Sequence, residues 1–417
     1  MAAMTDAPPT VYRDRDFYIF VSSRFLATVA MQVQSVGIAW QIYNIENTPF
    51  ALGLVGLCQF APMFLLTLPA GEVTDRFDQR RVLSFAFLAQ AACAVLFVLL
   101  SVSQPRNTQL FFSVLVLFGA ARAFSGPAGQ SLLPFLVPPE KLPRAIALNS
   151  SGFTIAVIAG PALGGIVLFA GPVFVYSLAG AAFVLSAILT AILRGRRIDR
   201  ASHITASRFE RVKEGVRFVR HRPIVLGAIS LDLFAVLLGG AVALLPIYAR
   251  DILHVGSSGY GALRSAQAVG AAAMAFSLTR WPIQRHTGII MFAAVAVFGL
   301  ATVVFGVSTS FYLSFAALFA TGAADMISVF VRSALIQYAT PDEMRGRVSA
   351  VSMLFIGASN ELGEFESGIT ASWFGGAVAS VVVGGIGTLA VVAIWMGLFP
   401  PLRKIDRLAD AANSPAN

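Results

Sequence analysis

The 417-residue chain is predicted to be an all-α membrane protein, with about twelve spanning helices in two similar halves. Three observations predict it: a composition too apolar for water, a succession of apolar runs of spanning length, and a repeat relating the second half to the first. Hydrophobic residues make up 57% of the chain and charged residues 12%, against about 25% charged in soluble domains. Mean hydropathy is +0.77. Lipid, rather than water, is the solvent for such a chain.

Each span needs roughly twenty apolar residues to cross a hydrocarbon core of about 30 Å. The runs fall at residues 17–43, 50–73, 82–102, 110–133, 145–170 and 173–193, and then at 224–249, 260–278, 288–307, 311–338, 348–374 and 377–398. The segment before the first run, MAAMTDAPPTVYRDRD, carries acids and prolines, and the run is too long for a signal-peptide core. The first helix is expected to stay in the mature protein.

The net charge of +9 raises nucleic acid as a partner, but the basic residues lie between apolar runs and not on one amphipathic face. They report topology instead, since cytoplasmic loops hold the excess of Lys and Arg. Arg13 and Arg15, Arg76, Arg80 and Arg81, Lys141 and Arg144, Arg280 and Arg285, Arg345 and Arg347, and Arg403, Lys404 and Arg407 all fall on one side of the twelve-span map. The stretch from Arg194 to Arg222 adds ten more, while the opposite loops offer Arg106 and Arg250. Both termini and the central linker are therefore expected in the cytoplasm, in a bacterial inner membrane. The boundaries that follow are a first half at 1–194, a linker at 195–222, a second half at 223–400 and a tail at 401–417. Within the linker, Phe209, Val212, Val216 and Val219 recur at helical spacing among basic residues, the pattern of an amphipathic helix at a membrane surface.

The repeat is the strongest organising signal. Second-half spans start 201 to 210 residues after their first-half counterparts, and SLLPFLVPPEKLPRAIALN from Ser131 aligns with SALIQYATPDEMRGRVSAV from Ser333 at an offset of 202. Parallel repeats of this kind place a substrate site near the midplane between halves that rock to open it alternately to each side.

Three motifs stand out. GEVTDRFDQRR follows the second span and carries Gly71, Asp75, Arg76 and Arg80; the glycine permits close helix crossing and the acid can pair with arginine at a helix mouth. FGAARAFSGPAG in the fourth span holds Arg122 and Gly126, an arginine too deep to snorkel and so directed to a bundle interior or wet cavity. AGPALGG in the fifth span holds Gly160, Pro161, Gly164 and Gly165, small residues that admit a neighbouring helix beside a proline that permits a bend.

These motifs, with SSRFLATVAMQVQSVGIAWQIY, LGLVGLCQFAPMFLLTLPAGEVTDRFDQRRV and ATPDEMRGRVSA, resemble the major facilitator superfamily, and within it the enterobactin-exporter-like and drug:proton antiporter branch. The resemblance covers nearly the whole chain. It implies a twelve-helix fold, efflux of a small amphiphilic molecule such as a siderophore or drug, and a latching role for the loop at Gly71, Asp75, Arg76 and Arg80. Asp78 and Gln79 depart from the family pattern there. Ala156 replaces an earlier glycine of the fifth-span motif.

The same resemblance makes spans 1, 4, 7 and 10 the cavity lining, and each carries charge: Arg24, Arg122, Asp232, and Asp325 with Arg332, to which Gln34 of the first span is added as a cavity residue. Arg122 and Asp325 stand at comparable depth and invite pairing across the interface. Glu361 and Glu364 in the eleventh span share one helix face, where charge is expensive and a proton is the cheaper partner. With Asp325 they are the candidate proton-coupling residues, alternatively serving as structural partners for Arg264 or Arg332.

The expectation is a monomeric secondary transporter coupling protons to efflux of a small organic molecule, with the lipid bilayer as its solvent, without cofactor or metal. The rivals are a uniporter or importer of a cationic or metal-bearing solute, and a non-transporting membrane sensor. His203, His221, His254 and His286 all fall in loops, and no HExxH, serine elbow or phosphate loop occurs, so no enzyme is expected. Cys58 and Cys93 sit within apolar runs and read as packing residues.

Overall fold

A computed structural model describes residues 14–103, 107–194, 208–408 and 410. Arg13, Arg106, most of the linker at 195–207, and the tail from 411 lie outside the described residues, as do the side chains of Phe209 and Val212. Among the described residues there are twelve long helices: α1 (Asp14–Glu46), α2 (Pro49–Arg76), α3 (Gln79–Ser103), α4 (Gln109–Leu132), α5 (Leu142–Val167) and α6 (Pro172–Ala191), then α7 (Pro223–Leu238), α8 (Gly256–Arg280), α9 (Thr287–Val307), α10 (Phe311–Ala339), α11 (Asp342–Trp373) and α12 (Ala377–Leu398). No strand occurs among the described residues.

Local chemistry sets several of the boundaries. Thr48 caps α2 by accepting the Ala51 N–H at 3.4 Å, with Pro49 at the first helical position where a missing N–H costs nothing. The seventh span differs from the single helix expected over 224–249. It stops at Leu238 before Gly239 and Gly240, continues as a 3-10 turn at Ala241–Leu244, and ends in a π turn at Tyr248–Ile252. A side chain at Gly240 would run into the α11 backbone at Gly363 and the Ser367 hydroxyl, so the break lets the two helices touch. The linker helix Arg208–Arg220 docks on α11: Gly215 lies against Arg347 and Val351, Glu214 pairs with Arg347 at 3.0 Å, and Val219 is buried.

The two halves repeat each other's packing. In the first, α1 packs on α5 and α6, α2 on α4, and α3 on α4 and α6; in the second, α7 packs on α11 and α12, α8 on α10, and α9 on α10 and α12. Each contact has its counterpart six helices later. The halves meet at α2 with α11 and at α5 with α8, two crossings also related by the repeat. At each, glycines abut: a Cβ on Gly368 would lie 2.6 Å from the Gly53 Cα, and one on Gly165 2.7 Å from the Gly261 Cα. The pairs are repeat-equivalent, since 261 minus 53 is 208 and 368 minus 165 is 203. The fifth-span motif thus serves two neighbours, because Gly160 and Gly164 face Gln32, Val33 and Val36 of α1 while Gly165 faces α8.

Ten of the helices are long and apolar enough to cross a membrane by length and composition. The other two, α8 and α11, have 25 and 32 residues, enough to cross, but are more polar. They are the second-half members of the two inter-half crossings. Gly165→Val is expected to separate the halves at that crossing and reduce transport at least tenfold in a vesicle assay. Gly126→Ala, where a Cβ meets nothing within 4 Å, is expected to leave it unchanged.

Candidate functional site

Charged residues from both halves converge at the seam between them. On the first-half side, a close α2–α4 contact, with the Gly119 Cα against Gln59 and Pro62, brings Gln59 beside Arg122. Arg122 Nη1 donates to Gln59 Oε1 at 3.3 Å and lies 3.6 Å from Glu361 Oε1 on α11. Both charged side chains of that pair are 19% exposed, so the pair is partly shielded from water but still reachable. One turn further along α11, Glu364 packs against Gly56 of α2. From the second half, Arg264 on α8 donates to Ser35 Oγ on α1 at 3.0 Å and stands within electrostatic reach of Glu364, Glu361 and Tyr260. Trp40 on α1 stacks on Tyr260 at 5.7 Å between ring centroids and forms an aromatic wall across the same interface.

Two arginines and two glutamates, one cation from each half, therefore bridge the seam. In low dielectric such a set holds together strongly while neutral overall, and adding one proton leaves a cation in excess. The arrangement can bind polar or charged groups of a ligand and can exchange a proton.

The other expected site residues are placed as follows. Arg122 bridges to Glu361 and not to Asp325, because α11 rather than α10 crosses α2 beside it. Asp325 lies within the second half, in a crevice with Asp232 and Ser328. Asp232 and Arg332 form an ion pair between α7 and α10, both nearly fully buried, and so face each other. Arg24 donates to the Ser125 carbonyl at 3.1 Å, with its guanidinium over Gly129, which ties α1 to α4. Gln34 is 1% exposed and lies on the α1 face that carries Gly37, packed on Val175 and Tyr176 of α6. It belongs to the first-half core, away from the seam.

In the last turns of α2, Gly71 is buried, Asp75 half-buried and Arg76 exposed, so these three belong to the helix end and only Phe77 and Asp78 to the loop. Arg80 makes a forked pair with Asp78, at 3.1 and 2.7 Å, and donates to the Leu193 carbonyl at the end of α6 at 2.6 Å. Partial burial opposes ionisation of Asp78, but the Arg80 hydrogen bonds and charge outweigh it and hold the carboxyl below its usual range. In this conformation Arg80 fastens the loop to its own half.

Sequence reasoning did not single out the contacts at the face opposite the linker. There Arg250 lies 4.1 Å above the Tyr43 ring, donates to Asn44 at 3.0 Å and to Asn47, and pairs with Asp251, which also accepts from the Tyr43 hydroxyl. α1 of one half is thereby clasped to the end of the seventh span of the other. Together with the Gly53–Gly368 and Gly165–Gly261 contacts, this joins the halves at the face away from the linker.

Paired six-helix halves with a polar seam are the architecture of a membrane transporter. A family model described as transmembrane secretion effector matches residues 8–416, and the chain belongs to that family of the major facilitator superfamily. It is 25% identical to the enterobactin exporter EntS of Citrobacter koseri, over 92% of this chain and 91% of that protein. It is 23% identical to a Na(+), Li(+), K(+)/H(+) antiporter of Planococcus maritimus, over 85% of this chain and 90% of that protein. Its fold matches a bacterial homologue of the lysosomal transporter Spinster, solved inward-facing and unoccupied, with a TM-score of 0.71 at 16% identity over 98% of this chain and all of that one. These relatives are transporters, and the chain is a transporter and not an enzyme.

Proposed function

We propose that the protein exports a small organic molecule across a bacterial inner membrane in exchange for protons, with both termini and the linker in the cytoplasm. The carrying observation is the placement of Glu361 and Glu364 against Arg122 and Arg264 at the seam between halves. Exchange requires that proton and substrate exclude each other. Carboxylates that take either a proton or a substrate's donor groups satisfy that requirement, which favours donor-rich amphiphiles: catechol-bearing siderophores, or cationic drug-like aromatics that also stack on the half-buried Trp40, whose ring is backed by the buried Tyr260. The exporter relatives support the siderophore class, and the basic loop pattern supports the orientation.

The test is export into inverted vesicles from cells with and without the protein, using a catecholate siderophore and a cationic dye under an imposed pH gradient. Accumulation that collapses when the gradient is dissipated supports the reading. Accumulation unaffected by dissipation, or none for either class, contradicts it.

A further inference from the structure

The seam leaves a second charged cluster unused, within the second half, with Asp232 and Arg332 buried and Asp325 half-buried. Asp325, Ser328 and Arg332 recur at spacings of three and four on one face of α10, opposite Asp232 of α7. Asp232 and Arg332 neutralise one another. Asp325, at mid-helix, forms no hydrogen bond or ion pair among the described residues. The cluster therefore carries a formal charge of −1, two carboxylates against one guanidinium, in the part of the membrane where uncompensated charge is most costly.

Beside it the Ser328 hydroxyl, in a residue 2% exposed, has no hydrogen-bond partner. Asp232, Asp325 and Ser328 line a common cavity of about 10 Å³, walled otherwise by apolar residues such as Val295 and Phe298 of α9. A volume of that size holds about one water-sized occupant. It has no room for an organic substrate. The donors it offers are all oxygen, the set that suits hard cations. A divalent ion would overcompensate the single negative charge.

We propose that this cavity is a site for one dehydrated monovalent cation of sodium or lithium size, held by the Asp325 carboxylate and the Ser328 hydroxyl. The Asp232–Arg332 pair forms its second wall. The site lies within one half and its occupancy is measurable without transport, so it stands or fails separately from the export reading.

The experiment is thermal unfolding of the purified full-length protein in detergent at pH 8, in sodium, lithium or choline chloride at equal ionic strength. Sodium or lithium at 100 mM is expected to raise Tm over choline by about 2 °C or more, saturably, because a ligand of the folded state stabilises it by mass action. Asp325→Asn is expected to abolish the difference. Should that variant not fold, Ser328→Ala is expected to raise the half-saturating concentration at least tenfold. Glu361→Gln, at the seam, is expected to keep the response. Equal Tm in all three salts would overturn the proposal and leave the cavity to a proton alone, and a salt response that survives both Asp325→Asn and Ser328→Ala would place any cation elsewhere.

Discussion

Replacing Glu361 and Glu364 together by glutamine is expected to abolish transport driven by a pH gradient while leaving downhill exchange of the same substrate within a few-fold of normal. Glutamine keeps the size and hydrogen-bonding reach of glutamate but cannot titrate. The glutamates face Arg122 on one side and Arg264 on the other, so a proton entering this set changes the charge balance exactly where the halves touch. A bistable arrangement responds to such a change only if the two conformations differ in affinity for the proton. One proton moving down a gradient of one pH unit is worth about 1.4 kcal/mol, which corresponds to roughly tenfold accumulation of a substrate exchanged for it. That whole factor is expected to vanish in the double variant. An unchanged accumulation ratio, with an unchanged pH profile, would make the glutamates structural.

The second large effect concerns Arg122. Arg122→Ala leaves Glu361 facing the seam with Gln59 as an ill-matched neighbour. Both partners retain some exposure, so the cost is that of a partly shielded pair, about 1–2 kcal/mol, and shifts the balance between conformations by roughly five- to thirtyfold. Transport is expected to fall by at least that factor. Adding Glu361→Gln is expected to restore a large part of it, since the orphaned charge is then gone, whereas adding Asp325→Asn is expected to act independently. A double-mutant cycle on transport rate checks both. Additivity of Arg122→Ala with Glu361→Gln would show that the 3.6 Å pair is not energetically coupled.

The pattern of legibility follows from what a linear sequence records. Spans, halves and the repeat were readable because each is a property of consecutive residues: apolar run length, loop charge, and the offset near 202. The α7 break was missed because Gly239 and Gly240 interrupt an otherwise uniform apolar run, and their reason, the α11 backbone at Gly363, lies more than a hundred residues away. Arg122, Glu361 and Glu364 were readable as costly charges at membrane depth, but partner choice was not. Arg122 and Asp325 matched in depth along their own helices, yet depth says nothing about which helices cross, and α2 brings Gln59 and α11 to Arg122 while α10 keeps Asp325 within its own half. Gln34 looked like a cavity residue because it is polar; it faces α6 because it follows the α1 stripe of Ser23, Ala30 and Gly37. Arg264 was visible as a charge and undervalued, while Trp40, Tyr260 and the Arg250 clasp carry no signal until the halves are assembled.

The central claim is that protonation at the seam moves the two halves, and the distance between them reports it most directly. Spin labels on Asn107 and Ser310, in loops at the clasped face of opposite halves, are to be measured by pulsed electron resonance in lipid between pH 8 and pH 6. The wild-type distance distribution is expected to shift between two populations across that range, and the Glu361→Gln, Glu364→Gln variant to show one pH-independent distribution. A variant that shifts as the wild type does would contradict the account.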